Sequence, residues 1–212
     1  MTPLAAFGVH RGGPTVKRRV ATLVASGFLA FASSAMAGPL EDANAAYQRD
    51  DYATAISLWR PLADQGDTVA EDNLGLMYFR GQVVPQDYAQ AFAWWRQAAV
   101  QGDAGARRNL GLMYIRGQGV RQSFVEALAW LQPAANQGDA VAQYSLGLMY
   151  VNGQGVPQDY VQAHVWFNLA ASGASDAKLR DPAVKARNEA AAAMTPAQIA
   201  KAQRLASEWT PK

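Results

Sequence analysis

An all-α solenoid of about five αα-hairpins is the fold this 212-residue sequence predicts, and three repetitions carry the prediction. Leu74-Gly75-Leu76-Met77-Tyr78 returns unchanged as Leu110 to Tyr114 and as Leu146 to Tyr150, 36 residues apart each time. Gln65-Gly66-Asp67 returns in the same register as Gln101 to Asp103 and Gln137 to Asp139. Trp94, Trp130 and Trp166 keep step with both. A unit of this length cannot bury its own apolar face, so it stacks on copies of itself. Function in such an array resides on a surface shared by several repeats.

Residues 1–37 differ from everything after them. They hold Arg11, Lys17, Arg18 and Arg19 and no acid, then an apolar run from Val20 to Met36, then the small-x-small site Ala35-Met36-Ala37. This is the layout of a secretory signal peptide cleaved before Gly38. The run contains Ser26, Gly27, Ser33 and Ser34 and falls short of the roughly 20 apolar residues that a membrane span needs. Val20-Ala21-Thr22 does not continue a twin-arginine pattern, so general secretion is expected. No cysteine follows to take a lipid. The expectation is an exported protein, periplasmic first and extracellular second, with no stable membrane span once the signal is gone.

Without those residues the chain carries 15 basic and 17 acidic side chains, so its apparent basicity belongs to the leader and gives no support for a nucleic-acid partner. The chain has no cysteine, so stability comes from apolar burial alone.

The elements follow in order. Residues 38–66 read as a divergent helix pair: a short helix from Leu40 to Arg49 with Ala43, Ala46 and Tyr47 on one face, a turn at Asp50-Asp51, and a second helix from Tyr52 to Asp64. From Asp51 onward the 36-residue register holds, matching Tyr52 with Tyr88, Ala55 with Ala91 and Trp59 with Trp95. Three full repeats occupy 67–102, 103–138 and 139–174.

In each, a first helix opens after Asp67, Asp103 or Asp139, whose carboxylates accept from free N–H groups of the first turn. It closes at Gly81, Gly117 or Gly153, where a residue without Cβ takes the left-handed conformation. A second helix opens after Asp87, Ser123 or Asp159, with Gln90, Glu126 and Gln162 at capping-box spacing.

The loop Gly-Gln-Gly-Val at 117–120 and 153–156 follows a helix with no strand before it, which argues for loop geometry over phosphate binding. Val83 replaces the second glycine in the first repeat, so that loop is expected to bend differently. Pro61 and Pro133 share one phase of the second helix and should bend it locally. Residues 175–212 read as a divergent capping pair. Asp181-Pro182 opens its first helix, and Thr195-Pro196-Ala197-Gln198 opens its last, with Ile199, Ala202, Ala206 and Trp209 on one face.

Taken together, Leu-Gly-Leu-Met-Tyr, Gly-Gln-Gly-Val-Pro-Gln-Asp-Tyr, Ala-x-x-Trp and Ala-Ala-x-Gln-Gly-Asp closely resemble the Sel-one-like repeat, an αα-hairpin module akin to tetratricopeptide repeats. The resemblance covers roughly Asp51 to Ala174. It implies a scaffold for protein–protein interaction in bacterial envelopes or at host contact, with no shared catalytic residue. One branch of that family has paired cysteines bridging each repeat and is linked to penicillin binding, which motivates the alternative of a cell-wall-directed hydrolase or β-lactamase-like enzyme. The cysteine pairs of that branch are missing here.

No catalytic residue, cofactor or metal ligand is assigned from the residues. His164 is the only histidine after the leader, and its phase holds Phe92 and Leu128 elsewhere, which reads as a packed or half-exposed helix position. Asp67, Asp87, Asp103, Asp139 and Asp159 are accounted for as caps. Trp94, Trp130 and Trp166, beside Ala91, Ala127 and Ala163, read as core rather than as a sugar-stacking platform.

On the first helix, Ala70, Leu74, Met77 and Tyr78 form the packing stripe. The adjacent stripe comprises Asp72, Arg108, Tyr144; Leu76, Leu112, Leu148; Phe79, Ile115, Val151; Arg80, Arg116, Asn152, and it changes between copies at every position but the leucines. In the tetratricopeptide geometry that the resemblance implies, it lines the concave face. An apolar floor with arginines at its rim suits a protein or peptide partner bearing acidic groups. The competing reading packs Leu76, Phe79 and their copies between neighbouring first helices.

Overall fold

The computed structural model describes residues 38–211, so the signal-peptide reading of residues 1–37 lies outside the described residues. Among the described residues ten helices follow one another: α1 (Pro39–Gln48), α2 (Tyr52–Ala63), α3 (Thr68–Arg80), α4 (Tyr88–Val100), α5 (Ala104–Arg116), α6 (Phe124–Asn136), α7 (Ala140–Asn152), α8 (Tyr160–Gly173), α9 (Ala177–Ala192) and α10 (Pro196–Glu208). Among the described residues there is no strand, and no helix is long and apolar enough to cross a membrane.

Caps set the borders of the repeated helices. The Asp67, Asp103 and Asp139 carboxylates accept from the backbone N–H of Ala70, Ala106 and Ala142 at 2.9, 2.6 and 2.7 Å. α3, α5 and α7 end at Gly81, Gly117 and Gly153 in the left-handed conformation. Asp87, Ser123 and Asp159 cap the second helices through Gln90, Glu126 and Gln162 N–H groups. The reciprocal half of the capping box is formed at Thr195 and Gln198.

Between the helices, a glutamine latches the loop. Gln86, Gln122 and Gln158 donate Nε2 to the carbonyls of Phe79, Ile115 and Val151 at 2.9, 2.7 and 2.6 Å. Those carbonyls lie in the last turn of the first helix, where no intrahelical partner exists. Gly119 and Gly155 stand at φ +68° and +71°, and a Cβ on either would meet the start of the preceding second helix, 2.6 Å from Tyr88 Cβ or 2.7 Å from the Phe124 carbonyl oxygen.

Val83 corrects the expectation of a different bend. It takes φ 67°, the same left-handed conformation as the glycines at its phase, and remains 63 % exposed. The loop latch and caps enforce one geometry, and a β-branched residue is held where it is strained.

The core is built where second helices press on first helices. Ala70, Leu74 and Met77 and their copies Ala106, Leu110, Met113, Ala142, Leu146 and Met149 are fully buried. The second-helix position facing them is held by Trp59, Trp95, Leu131 and Phe167, each almost completely buried. Gly75, Gly111 and Gly147 make room for the last three: a Cβ there would come within 2.5 Å of Trp95, Leu131 or Phe167. The middle residue of Leu-Gly-Leu is thus a close-approach position. Trp94 and Trp166 are buried beside these, but Trp130 is only half-buried.

The carboxy-terminal helices differ from the expected pair. α9 starts after Asp176, whose carboxylate accepts from the Leu179 N–H at 3.1 Å, and Pro182 falls inside the helix instead of at its first position. The upstream cap adds a turn and offsets the single N–H that proline removes. α9 and α10 both pack on α8 and scarcely touch each other. Ala202 and Ala206 of α10 complete the cluster of Leu131, Leu146, Val165, Trp166 and Leu169, while Ala190 of α9 covers Ala163 and Phe167.

Candidate functional site

The varying stripe divides into two pairs of positions with different duties. Asp72 and Arg108 are occupied in holding neighbouring repeats together, and Tyr144 in packing within its own. Asp72 accepts from Asn109 Nδ2 at 3.2 Å, and its backbone carbonyl accepts from Trp95 Nε1 at 3.1 Å. Burial, followed by the Asp103 carboxylate, raises the Asp72 pKa above the usual carboxylate value. Arg108 is half-buried and pairs with Asp139 of the next repeat at 2.9 Å, so it is no free rim arginine. Asp139 caps α7 with its other oxygen, which couples the start of one repeat to the body of the last. Tyr144 stacks against Phe167 with centroids 5.5 Å apart.

Positions 79, 115 and 151 also turn inward. Phe79 lies against Tyr88 and Trp95, at 5.2 and 5.3 Å between centroids, and Ile115 and Val151 pack on the core clusters beside them. Here the packing reading describes the side chains well.

Outward-facing groups come from the other two positions. Leu76 and Leu112 are half-buried and Leu148 is exposed, while Arg80, Arg116 and Asn152 are exposed. Arg80 donates to the Tyr47 hydroxyl at 3.1 Å.

Between α3 and α5 this face contains a hollow of about 160 Å³, with Leu76, Phe79, Leu112 and Met113 in its walls, buried Trp95 at its base and Arg80 and Arg116 at its rim. Farther along, Tyr144 and Leu148 of α7 face Asp181, Lys185 and Glu189 of α9 across a trough of about 510 Å³. The helix that closes the solenoid thereby also forms the end wall of the face.

Several structural side chains escaped the reading of the sequence. The loop glutamines recur in the 36-residue register inside Pro-Gln-Asp and Arg-Gln-Ser, and that recurrence is the sequence signal for the latch. Glu71 is buried, accepts from Gln101 Nε2 at 2.9 Å, and burial raises its pKa. Its copies Arg107 and Gln143 instead donate to the carbonyls of Ala99 and Ala135 at 3.0 and 3.1 Å, at the end of the preceding helix.

His164 is 4 % exposed, deeper than a half-exposed helix residue. Its Nδ1 has no partner, and burial, then the Arg187 guanidinium, lowers its pKa. Among the described residues no group of three or more His, Cys, Asp or Glu side chains is placed to hold a metal ion.

Comparisons with known proteins agree with this architecture. The Sel1 repeat model matches residues 68–103, 104–139 and 140–175, one residue later than the boundaries expected from the sequence. A protective antigen present in uropathogenic Escherichia coli strains, displaying an SLR fold, superposes with a TM-score of 0.67 at 34% identity; the match covers 74% of this chain and 33% of that one. This chain therefore spans about a third of that antigen's length. A Sel1 repeat protein from Oxalobacter formigenes superposes with a TM-score of 0.62 at 26% identity, covering 80% and 74% of the two chains. No curated protein sequence matches. Sel1 repeat proteins are generally protein-interaction scaffolds and typically have no enzymatic activity. With three consecutive matched repeats across half its length, the chain belongs to the Sel1 repeat family.

Proposed function

We propose that this protein is an exported interaction module that binds a protein or peptide partner along the face formed by α3, α5 and α7. The observation that carries this reading is the pairing of an apolar hollow with two exposed guanidiniums at Leu76, Leu112, Arg80 and Arg116, on helices whose opposite side is fully committed to the core. A rigid helical array costs little ordering when it binds, so a partner retains most of the contact energy. Export is the address that the layout of residues 1–37 supports, and sequencing the mature protein from the envelope should start at Gly38.

Site-specific photocrosslinking in the native host tests the binding face. A crosslinker at position 116 or 148 should yield one discrete adduct, and one at exposed Arg96 on α4 should yield none. Equal labelling from position 96, or none from 116 and 148, would place recognition elsewhere.

A further inference from the structure

The two hollows on this face differ in charge. The trough between α7 and α9 is bordered by both signs, and Lys185 and Glu189 there already stand 3.8 Å apart. The hollow between α3 and α5 is flanked by two guanidiniums and lined by no carboxylate. Among the described residues neither Arg80 nor Arg116 enters an ion pair. Asp72 lies one helical turn before Leu76, where Asn109 holds it. The local field at the hollow is therefore positive, although the chain after residue 37 carries a small acidic excess.

Size narrows the occupant further. Sites for whole small molecules measure about 300–1,000 Å³. This hollow, at about 160 Å³, is close to the roughly 150 Å³ that accepts a single benzene-sized group. Leu76, Phe79, Leu112, Met113 and the buried indole offer one side chain an apolar seat, beside the amides of Asn109 and Gln118. The guanidiniums at the mouth present planar forks that match carboxylate oxygens. Arg80 is steadied by one bond to the Tyr47 hydroxyl, which leaves its other N–H groups to donate.

We infer that the hollow between α3 and α5 anchors one aliphatic or aromatic side chain of an acidic peptide segment, whose adjacent carboxylates pair with Arg80 and Arg116. This rests on the proposal that the first-helix face binds a partner, and it adds the partner's chemistry.

Selection of a random heptapeptide phage library against the folded protein tests the inference. Enriched peptides should carry a Leu, Ile, Met or Phe beside Asp or Glu, and should shift the Trp95 indole N–H resonance. Arg116→Glu should weaken them at least about tenfold with an unchanged melting temperature, because exposed charges contribute little to stability. A peptide with Lys in place of its acids should then regain affinity for that variant. Arg116→Gln serves the same purpose if the charge reversal disturbs folding, with weakening expected but no rescue by Lys.

Basic or neutral enriched peptides, no enrichment at all, or binding indifferent to both Arg116 variants would overturn the inference. Leu148→Asp separates the two levels of the argument. If it abolishes binding that the Arg116 variants leave intact, the pocket assignment fails and the face survives. If neither position matters, both fail.

Discussion

Glu71 shows how one residue can break a pattern that its copies keep. At the same place in the next two repeats, a donor side chain reaches the last turn of the preceding second helix through the carbonyls of Ala99 and Ala135. The equivalent acceptor in the first repeat is Ala63, to which an ionised carboxylate can donate nothing. Glu71→Gln should supply that donor and keep an oxygen for Gln101, so we expect a gain of about 1 kcal/mol near neutral pH, read by urea denaturation. The sign follows from linkage. A carboxyl whose folded pKa is raised favours the fold below its unfolded pKa and loses that contribution as pH rises through the folded value. The gain from Glu71→Gln should therefore shrink in acid.

His164 behaves in the opposite sense. Its folded pKa is lowered from 6.5, so the unfolded chain takes up the proton first and stability falls as pH drops below about 6.5. His164→Leu, which imitates Leu128 at the same phase, should flatten that fall. Melting temperatures compared at about pH 7.5 and about pH 5 measure it. Neither behaviour was legible in the sequence, where Glu71 and His164 were single letters in helical runs. Glu71 is buried where the end of α4 brings Gln101 to it, and His164 is buried on α8, against which α9 packs.

Whole elements were far more legible than such side chains. Caps before each helix, glycines after the first helix of each repeat and the 36-residue step place the starts of α2 through α8 and the ends of α2, α3, α5 and α7 to within one or two residues, because caps act through local geometry that the sequence encodes directly. The carboxy-terminal region was read less well. Two aspartates five residues apart, Asp176 and Asp181, both offer a cap, and packing on α8 selects the earlier one.

The candidate face was partly legible for a related reason. Helical spacing places these residues on one stripe, but half of that stripe is tied down by contacts such as those to Asp139, Asn109 and Phe167, which no helical period displays. Since α10 covers Val165, Trp166 and Leu169 on α8, ending the chain at Met194 should cost stability and create dye-binding apolar surface. Uncovering even one such side chain is worth about 1.5–3 kcal/mol. A truncated protein with unchanged melting and no dye binding would show that α10 contributes nothing to the core.

At the scale of the molecule, stability is a chain of nearest-neighbour interfaces, each helix from α1 to α9 packing on its sequence neighbours and α10 folding back onto α8. The order of the repeats along that chain is not arbitrary. The position held by Gly119 and Gly155 abuts the preceding second helix, where even one added carbon would stand 2.6 Å from Tyr88 Cβ or 2.7 Å from the Phe124 carbonyl oxygen; Val83 holds that position in the first repeat alone. Growth of such a protein by tandem duplication is therefore directional. A duplicated 104–139 segment inserted after Asp139 carries its glycine into the new junction and should raise the melting temperature as the array lengthens. A copy of 68–103 inserted there would bring a valine to a junction with no room for it, and the longer protein should melt no higher than the original. A single missing side chain decides which repeat can serve as the template for a longer one.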